Sequence, residues 1–538
     1  MPSMSSFALA LLFVVLTAGQ VGNLLWKKAR KTRQLLPPGP RPLPFLGNLL
    51  DIEAHAPWIS YAEWGAMYGC DLVYSRVLGQ EIFVINSEKV AKDLLEKRAY
   101  NYSDRPYFDH VIDRFGLSFS SVFLPYGDLW RMHRRLFQQS FRNYASLHYR
   151  PMQLRKARQL LLQLLSTPES YADHFQTYAA AIVMSAVCGY EVTSCTDPLV
   201  MMAKQTVDLT VGATAPRKVA ILNAFPFLFR LPLWLPGANV KHDAFRCRRS
   251  TQNMLETAYR IVQEKMHLRT VGPCMVSDSL RRFKNRDATG KFEAAIKDTS
   301  ATAFCAGSET TSATLLVFLL AMVLHPRVQE RAQLEIDSIV GTNRLPDFSD
   351  RPSLPYIDAI VRETLRWHPV APLGVPHATT SADVYEGYCI PKGATVIANA
   401  WAMSRNEHKY PNPSEFKPER FLTAEGKLNH DTVSFAYGFG RRICVGRYMA
   451  DASLWSAIVS LLAEFRFTKA QDTCGKDIKI EPQWTSGSTS HPLPFPCHIV
   501  ARSPDMTSEK LAQLSRQSTL HRGGWYKEHP PASFVGPF

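Results

Sequence analysis

The chain has 538 residues, 46% of them hydrophobic and 20% charged, with a formal net charge of +15 at pH 7. That balance excludes a disordered, collagenous or repeat protein and leaves enough apolar material for a large core. No basic segment is interleaved with aromatics, so the charge points to anionic lipid or an acidic protein partner, and no nucleic-acid partner is expected.

Phe7 to Trp26 reads FALALLFVVLTAGQVGNLLW, roughly the 20 apolar residues that a helix needs to cross a bilayer. No charged side chain precedes Lys27, and Lys27, Lys28, Arg30, Lys31 and Arg33 follow. A secretory signal carries its positive charges before the apolar run, so this order predicts a membrane anchor over residues 1–26 with everything after it on the cytoplasmic side. Residues 27–55 form a basic, proline-rich connector, in which Leu36-Pro37-Pro38-Gly39-Pro40-Arg41-Pro42 is stiffened by fixed proline dihedrals. Residues 56–503 contain no second linker of that kind and read as one catalytic domain. Residues 504–538 mix Ser, Arg, Gly and Pro without apolar periodicity and read as a flexible tail. Ten cysteines with no Cys-x-x-Cys pairing suit a reducing compartment.

Helical periodicity dominates the body. Helices are predicted over Leu154 to Leu165 and over Ala313 to Ile336, the latter interrupted at His325-Pro326. Strand-like alternation is local, at Leu72 to Val77 with Glu81 to Ile85, and at Thr395 to Asn399 after the turn Pro391-Lys392-Gly393. The expected fold is mainly α with small β-sheets.

Five short segments carry chemistry, in chain order. Trp130 and Arg134 lie four apart on one helical face. Ala306-Gly307-Ser308-Glu309-Thr310-Thr311 leads into the long apolar helix, with a glycine able to open the helix and a threonine hydroxyl able to bond back to a carbonyl or hold a water. Glu363-Thr364-Leu365-Arg366 puts an acid and a base three apart on one helical face, and Pro418-Glu419-Arg420-Phe421 adds a second arginine. Tyr437-Gly438-Phe439-Gly440-Arg441-Arg442-Ile443-Cys444-Val445-Gly446 is a glycine-punctuated loop ahead of a helix predicted from Arg447 to Leu462. Glycines there allow amide N–H groups to turn toward a buried sulfur, and the helix start adds partial positive charge, so a thiolate at Cys444 would be stabilised.

These motifs, in this order, resemble the cytochrome P450 family, whose haem loop reads Phe-x-x-Gly-x-Arg-x-Cys-x-Gly. Gly440, Arg442, Cys444 and Gly446 match, Tyr437 replaces the phenylalanine, and Val445 stands where many fungal members have proline. The resemblance runs from Pro37 to about Ser503 and is nearest to fungal microsomal secondary-metabolite or xenobiotic-oxidising members. It implies haem b (iron protoporphyrin IX) with Cys444 as the axial iron ligand. It also implies Arg442, Trp130, Arg134 and His377 around the haem propionates, and a buried Glu363, Arg366 and Arg420 network. On the oxygen side it implies Thr310, with Glu309 relaying protons from solvent.

By the same resemblance the protein is a monooxygenase that takes electrons from NADPH through NADPH-cytochrome P450 reductase, with cytochrome b5 as an accessory partner. Its expected place is the endoplasmic reticulum membrane, single-pass, with the catalytic domain facing the cytosol. Tyr107 to Leu124, Phe225 to Pro236, Val370 to Pro376 and Trp484 to Ser490 are the expected pocket walls. Their apolar character suits a terpenoid, steroid-like or polycyclic aromatic substrate. The competing class is a haem-thiolate isomerase or dehydratase needing no O2, against which Glu309 and Thr310 argue. Asn101-Tyr102-Ser103 matches a glycosylation sequon but is expected to stay bare in the cytosol.

Overall fold

In the computed structural model, which describes residues 36–520 other than 107–108, 193, 233, 235–238 and 284–289, helices surround one long apolar helix and a small sheet lies to one side. The anchor expected over residues 1–26, residues 27–35 of the connector and residues 521–538 lie outside the described residues. The principal helices are α1 (Pro57–Tyr68), α2 (Asp128–Phe141), α3 (Arg150–Ser166), α4 (Tyr171–Cys188), α5 (Pro198–Ala213) and α6 (Asn239–His267). They are followed by α7 (Lys291–Leu324), α8 (Pro326–Ile339), α9 (Pro355–Trp367), α10 (Arg447–Glu464) and α11 (Ser508–Leu520).

Strands β1 (Leu72–Val77) and β2 (Gln80–Ile85) pair antiparallel, with Val77 opposite Gln80. Leu78 and Gly79 close the hairpin with φ of 48° and 89°, the positive pair that a two-residue hairpin turn requires. The sheet continues through β6 (Thr395–Ala398), parallel to β2, to β3 (His377–Ala378), antiparallel to β6. Thr395 to Asn399 was the expected strand. Asn399 instead caps the next helical turn, its side chain accepting from the Ala402 amide. The other strands form two-stranded ribbons, β4 (Asp383–Tyr385) with β5 (Tyr388–Ile390) and β7 (Phe465–Lys469) with β8 (Cys497–Ala501).

From Ala313 to Val323 helix α7 carries no charge, and every residue of that stretch is buried. It packs against α2, α4, α6 and α10. Length and composition alone would let α7 cross a membrane, but its apolar window is mostly buried inside the protein, as a core helix must be when it is hydrophobic all round. It ends where expected. Pro326 disfavours helical geometry at His325, which takes φ −124° and ψ 66°, and Pro326 itself opens α8.

The flexible tail expected from residue 504 is corrected in part by α11. Leu511 and Leu514, three apart, are buried, and Arg158 of α3 donates to the Ser515 carbonyl at 3.0 Å. Two leucines at helical spacing are enough to dock a short helix, although they are too few to stand out in a polar segment. None of the ten cysteines forms a disulfide.

Candidate active site

The segment before α10 is folded by its glycines. Gly438 and Gly440 take φ of 76° and 59°, and a Cβ on Gly440 would stand 1.9 Å from the Leu95 carbonyl oxygen. The loop therefore presses directly on the turn Lys92–Lys97. The Cys444 amide donates to the Tyr437 carbonyl at 2.8 Å, and Arg134 donates from Nη1 to the Ile443 carbonyl at 2.7 Å.

Amides of Gly446 and Arg447 hydrogen-bond to the Cys444 sulfur, and the guanidinium groups of Arg134 and Arg447 stand near it. Burial raises the thiol's pKa, and these four interactions oppose the rise. Unlike Cys188, Cys247 and Cys274, which are packed into the core, the Cys444 side chain is accessible although protein surrounds it. The space about the Cys444 loop is where the site's other groups gather.

Around that space lies a surplus of positive charge. Arg442 donates to the carbonyls of Ser103 (2.9 Å), Leu124 (2.7 Å) and Ser121 (3.4 Å), and its guanidinium lies 4.5 Å over the Trp130 ring. Burial lowers its pKa to about 10. Arg105, which the sequence motifs did not single out, donates to the carbonyls of Val122, Val375 and Pro376 at 2.8, 2.9 and 2.7 Å. Burial and the neighbouring Arg442 push its pKa well down, and Asp104 is the one acid that offsets both arginines. Two partly buried guanidinium groups with one acid near both suit a ligand that brings its own carboxylates, as a porphyrin does. Among the described residues no group of three or more His, Cys, Asp or Glu could hold a metal ion.

His377 stands with these two arginines. Its Nδ1 lies 2.7 Å from the Tyr102 carbonyl, which only a protonated nitrogen can satisfy. Burial, with Arg105 and Arg442 nearby, lowers its pKa to about 3. His377 thus ties β3 to Tyr102 beside the two arginines, and Arg105 adds a donor to the set that the resemblance implied.

The segment with Glu309 and Thr310 lies inside α7, not ahead of it, and the helix is unbroken there. Gly307 does not open the helix: a Cβ on it would come within 2.6 Å of Val183 Cγ2, so its role is the close approach of α7 to α4. The Thr310 hydroxyl donates back to the Ala306 carbonyl at 2.9 Å. Glu309 points elsewhere, with Oε1 3.8 Å from His491 Nε2. Burial raises its pKa, opposed chiefly by His491.

Beneath the loop the three-residue network forms as the motifs implied. Glu363 accepts from Arg366 Nε at 2.6 Å and Nη2 at 2.8 Å, from Arg420 Nε at 3.1 Å and from the Lys417 amide at 2.7 Å. Arg366 also donates to the carbonyls of Ser404, Pro413 and Glu415. Arg405, missed in the sequence, joins the same cluster through the Pro413 and Trp367 carbonyls. Of the expected pocket walls, Val370 and Ser490 meet through a 2.8 Å backbone bond. In the run from Phe225, Phe229 is buried while Phe225, Phe227 and Trp234 are exposed.

A mainly helical protein with an accessible interior cysteine, amides aimed at the sulfur and buried arginines above it belongs to the thiolate-ligated haem proteins in architecture. The chain is a member of the cytochrome P450 family, whose model matches residues 37–496. A cytochrome P450 monooxygenase of Rhodocybe pseudopiperita is 37% identical over 489 residues, covering 90% of this chain and 93% of the relative. One from Postia placenta is 37% identical over 521 residues, covering 96% and 97%. Tryptamine 4-monooxygenase of Psilocybe cyanescens is 35% identical over 495 residues, covering 90% and 97%.

Proposed function

We propose that the protein is a membrane-anchored monooxygenase that inserts one oxygen atom from O2 into a small apolar substrate, using haem b and electrons from NADPH delivered by NADPH-cytochrome P450 reductase, with cytochrome b5 as an accessory. The observation that carries this reading is the setting of Cys444, with two amides hydrogen-bonded to its sulfur and two guanidinium groups near it. When bound, haem supplies the activation of dioxygen and the transfer of one oxygen atom.

The rest falls to the chain. Cys444 would supply the thiolate that holds the haem iron, and Gly446, Arg447 and Arg134 would stabilise its charge. Arg442 and Arg105 hold the carboxylates, with Trp130 stacked beneath Arg442. The network of Glu363, Arg366 and Arg420 fixes the segment from Ser404 to Arg420. Glu309 moves protons, Thr310 presents a hydroxyl on the adjoining face of the helix, and the apolar length of α7 keeps bulk water out.

Phe7 to Trp26 is the anchor in this reading, and exposed Phe225, Phe227 and Trp234 offer a second contact with the endoplasmic reticulum surface on its cytosolic side. The substrate class is terpenoid, steroid-like or polycyclic aromatic. The tryptamine-oxidising relative adds aromatic amines to the compounds worth testing.

The test is turnover of the full-length protein with reductase, NADPH and isotopically labelled dioxygen against terpenoids, steroids, polycyclic aromatics and tryptamine. A product carrying one labelled oxygen atom supports the reading. Turnover that persists without dioxygen and NADPH contradicts it in favour of an isomerase or dehydratase.

A further inference from the structure

Glu309 neighbours Thr310 in sequence, yet its carboxylate faces two other segments. His491 approaches from the C-terminal hairpin, with Nε2 3.8 Å from Glu309 Oε1, and the Thr489 side chain hydrogen-bonds to the same carboxylate. Asp208 and Lys204, one turn apart on α5, are the other charged groups that face it.

The imidazole is held in a definite orientation. Its Nδ1 lies 3.1 Å from the Pro492 carbonyl, and the His491 amide donates to Thr485 Oγ1 at 3.0 Å within the hairpin closed by the Trp484–Pro492 bridge. With Nδ1 donating to a carbonyl, the proton that comes and goes sits on Nε2, the nitrogen turned to Glu309. The ring is also partly open: the His491 side chain is 25% exposed and that of Glu309 18%.

The other titratable group facing His491 is His368. Burial lowers its pKa to about 3, with Arg405 and His491 adding to the effect. It is stacked 3.6 Å from Trp484 and bonded to Ser490 Oγ at 3.0 Å. His368 is therefore a neutral wall with no proton to share.

We infer that His491 is the solvent-side relay that loads Glu309 with protons, acting through Glu309 and not at the reacting atoms. The inference rests on the monooxygenase reading. In the step, the Nε2–H bond of the imidazolium breaks and an O–H bond forms at Glu309 Oε1. The products are neutral imidazole and a carboxylic acid, and no electrons change hands. Solvent reprotonates Nε2, and Glu309 passes its proton to the Thr310 side of α7. The 3.8 Å separation exceeds a direct hydrogen bond of roughly 2.7–3.2 Å, and side-chain rotation on the ps–ns scale closes it. Because burial raises the Glu309 pKa, the acid takes up a proton more readily at physiological pH than an exposed glutamate does.

The test uses the full-length, haem-loaded protein and infrared difference titration of the Glu309 carboxyl, assigned by its loss in Glu309→Gln. His491→Gln removes the cation that opposes the rise, so the carboxyl should stay protonated to higher pH. In the same variant, NADPH oxidation with reductase and dioxygen should fall by about tenfold or more, at the lower end for a general acid, and its solvent isotope effect should grow. Added imidazole should restore part of the rate in His491→Ala. Unchanged carboxyl titration and an unchanged isotope effect in His491→Gln overturn the inference. Should that variant fail to bind haem, the wild-type protein decides: a carboxyl whose titration is coupled to a histidine supports the relay, and one that titrates alone overturns it. Coupled titration without any NADPH-driven oxygen uptake supports the pair and counts against the monooxygenase reading.

Discussion

Gly440 lies so close to Leu95 that a Cβ would stand 1.9 Å from the Leu95 carbonyl oxygen. The contact fixes the height of the Cys444 loop above the turn Lys92–Lys97, so backbone in one part of the chain sets the position of a sulfur in another. Gly440 also has φ of 59°, where a side chain is strained whatever space it finds. Gly440→Ala should therefore displace the loop. The expected outcome is a folded protein, by far-ultraviolet circular dichroism, with much reduced haem content after expression with excess haem precursor.

Glu363 is fully buried and is the acid shared by Arg366 and Arg420. Glu363→Gln leaves a buried guanidinium without its counter-charge, a loss of about 3–5 kcal/mol for a pair broken on one side. Chemical denaturation should show that loss. Replacing exposed Glu481, which pairs with Lys479 at 2.7 Å on the surface, should change stability by less than about 1 kcal/mol.

Arg105 serves three carbonyls and faces Arg442. Arg105→Gln cannot reach all three acceptors and removes one of the two positive charges available to a carboxylate. Haem should dissociate faster from this variant, by about tenfold or more for a lost charge-assisted hydrogen bond worth roughly 1.5–3 kcal/mol. Transfer of haem to apomyoglobin measures the rate.

Buried histidines should make stability sensitive to acid. Burial depresses the pKa of His368 and His377 to about 3 and that of His133 to about 4. For each, the unfolded chain binds a proton below about pH 6.5 that the folded protein does not. The stability these histidines contribute is thus complete above that pH and is lost as pH falls toward the folded values. Each costs about 1.4 kcal/mol per pH unit within the window. Asp298 acts in the opposite sense, because burial raises its pKa to about 7 and the folded state binds its proton first. Burial raises the carboxyl pKa of Glu335, Asp358 and Glu464 in the same sense as that of Asp298, so the histidine contribution is isolated by substitution: His368→Gln should make the urea midpoint less sensitive to acid between about pH 6.5 and 5 than it is in the wild-type protein.

The parts of the site that could be read in the sequence are those whose chemistry sits on neighbouring residues. Cys444 with its glycines, Glu363 with Arg366, and the end of α7 at Pro326 each carry their physical reason within a few positions. Arg420 could be read because a second short motif frames it. Arg105 could not, because one of its partners, the Pro376 carbonyl, lies 271 residues away. Arg405 and His491 were missed for the same reason, since backbone acceptors and cross-chain approaches leave no spacing pattern.

His377 and Gly307 show a different limit. Their residue types were informative, but the carbonyl that orients the ring lies on Tyr102 of a distant segment, and the glycine's purpose depends on Val183 of another helix. The sequon at Asn101 is similar. Topology was the reason to expect it bare, whereas the folded chain buries Asn101 and engages its Oδ1 with the amides of Thr380 and Ser381.

Ligation of the haem iron by the Cys444 thiolate is tested most directly by the carbon monoxide difference spectrum of the reduced protein. The wild-type protein should show the strongly red-shifted haem band that a thiolate trans to carbon monoxide produces, and Cys444→Ala should lose it. A Cys444→Ala protein that keeps the red-shifted band would contradict the account, because the sulfur would then have to come from another residue.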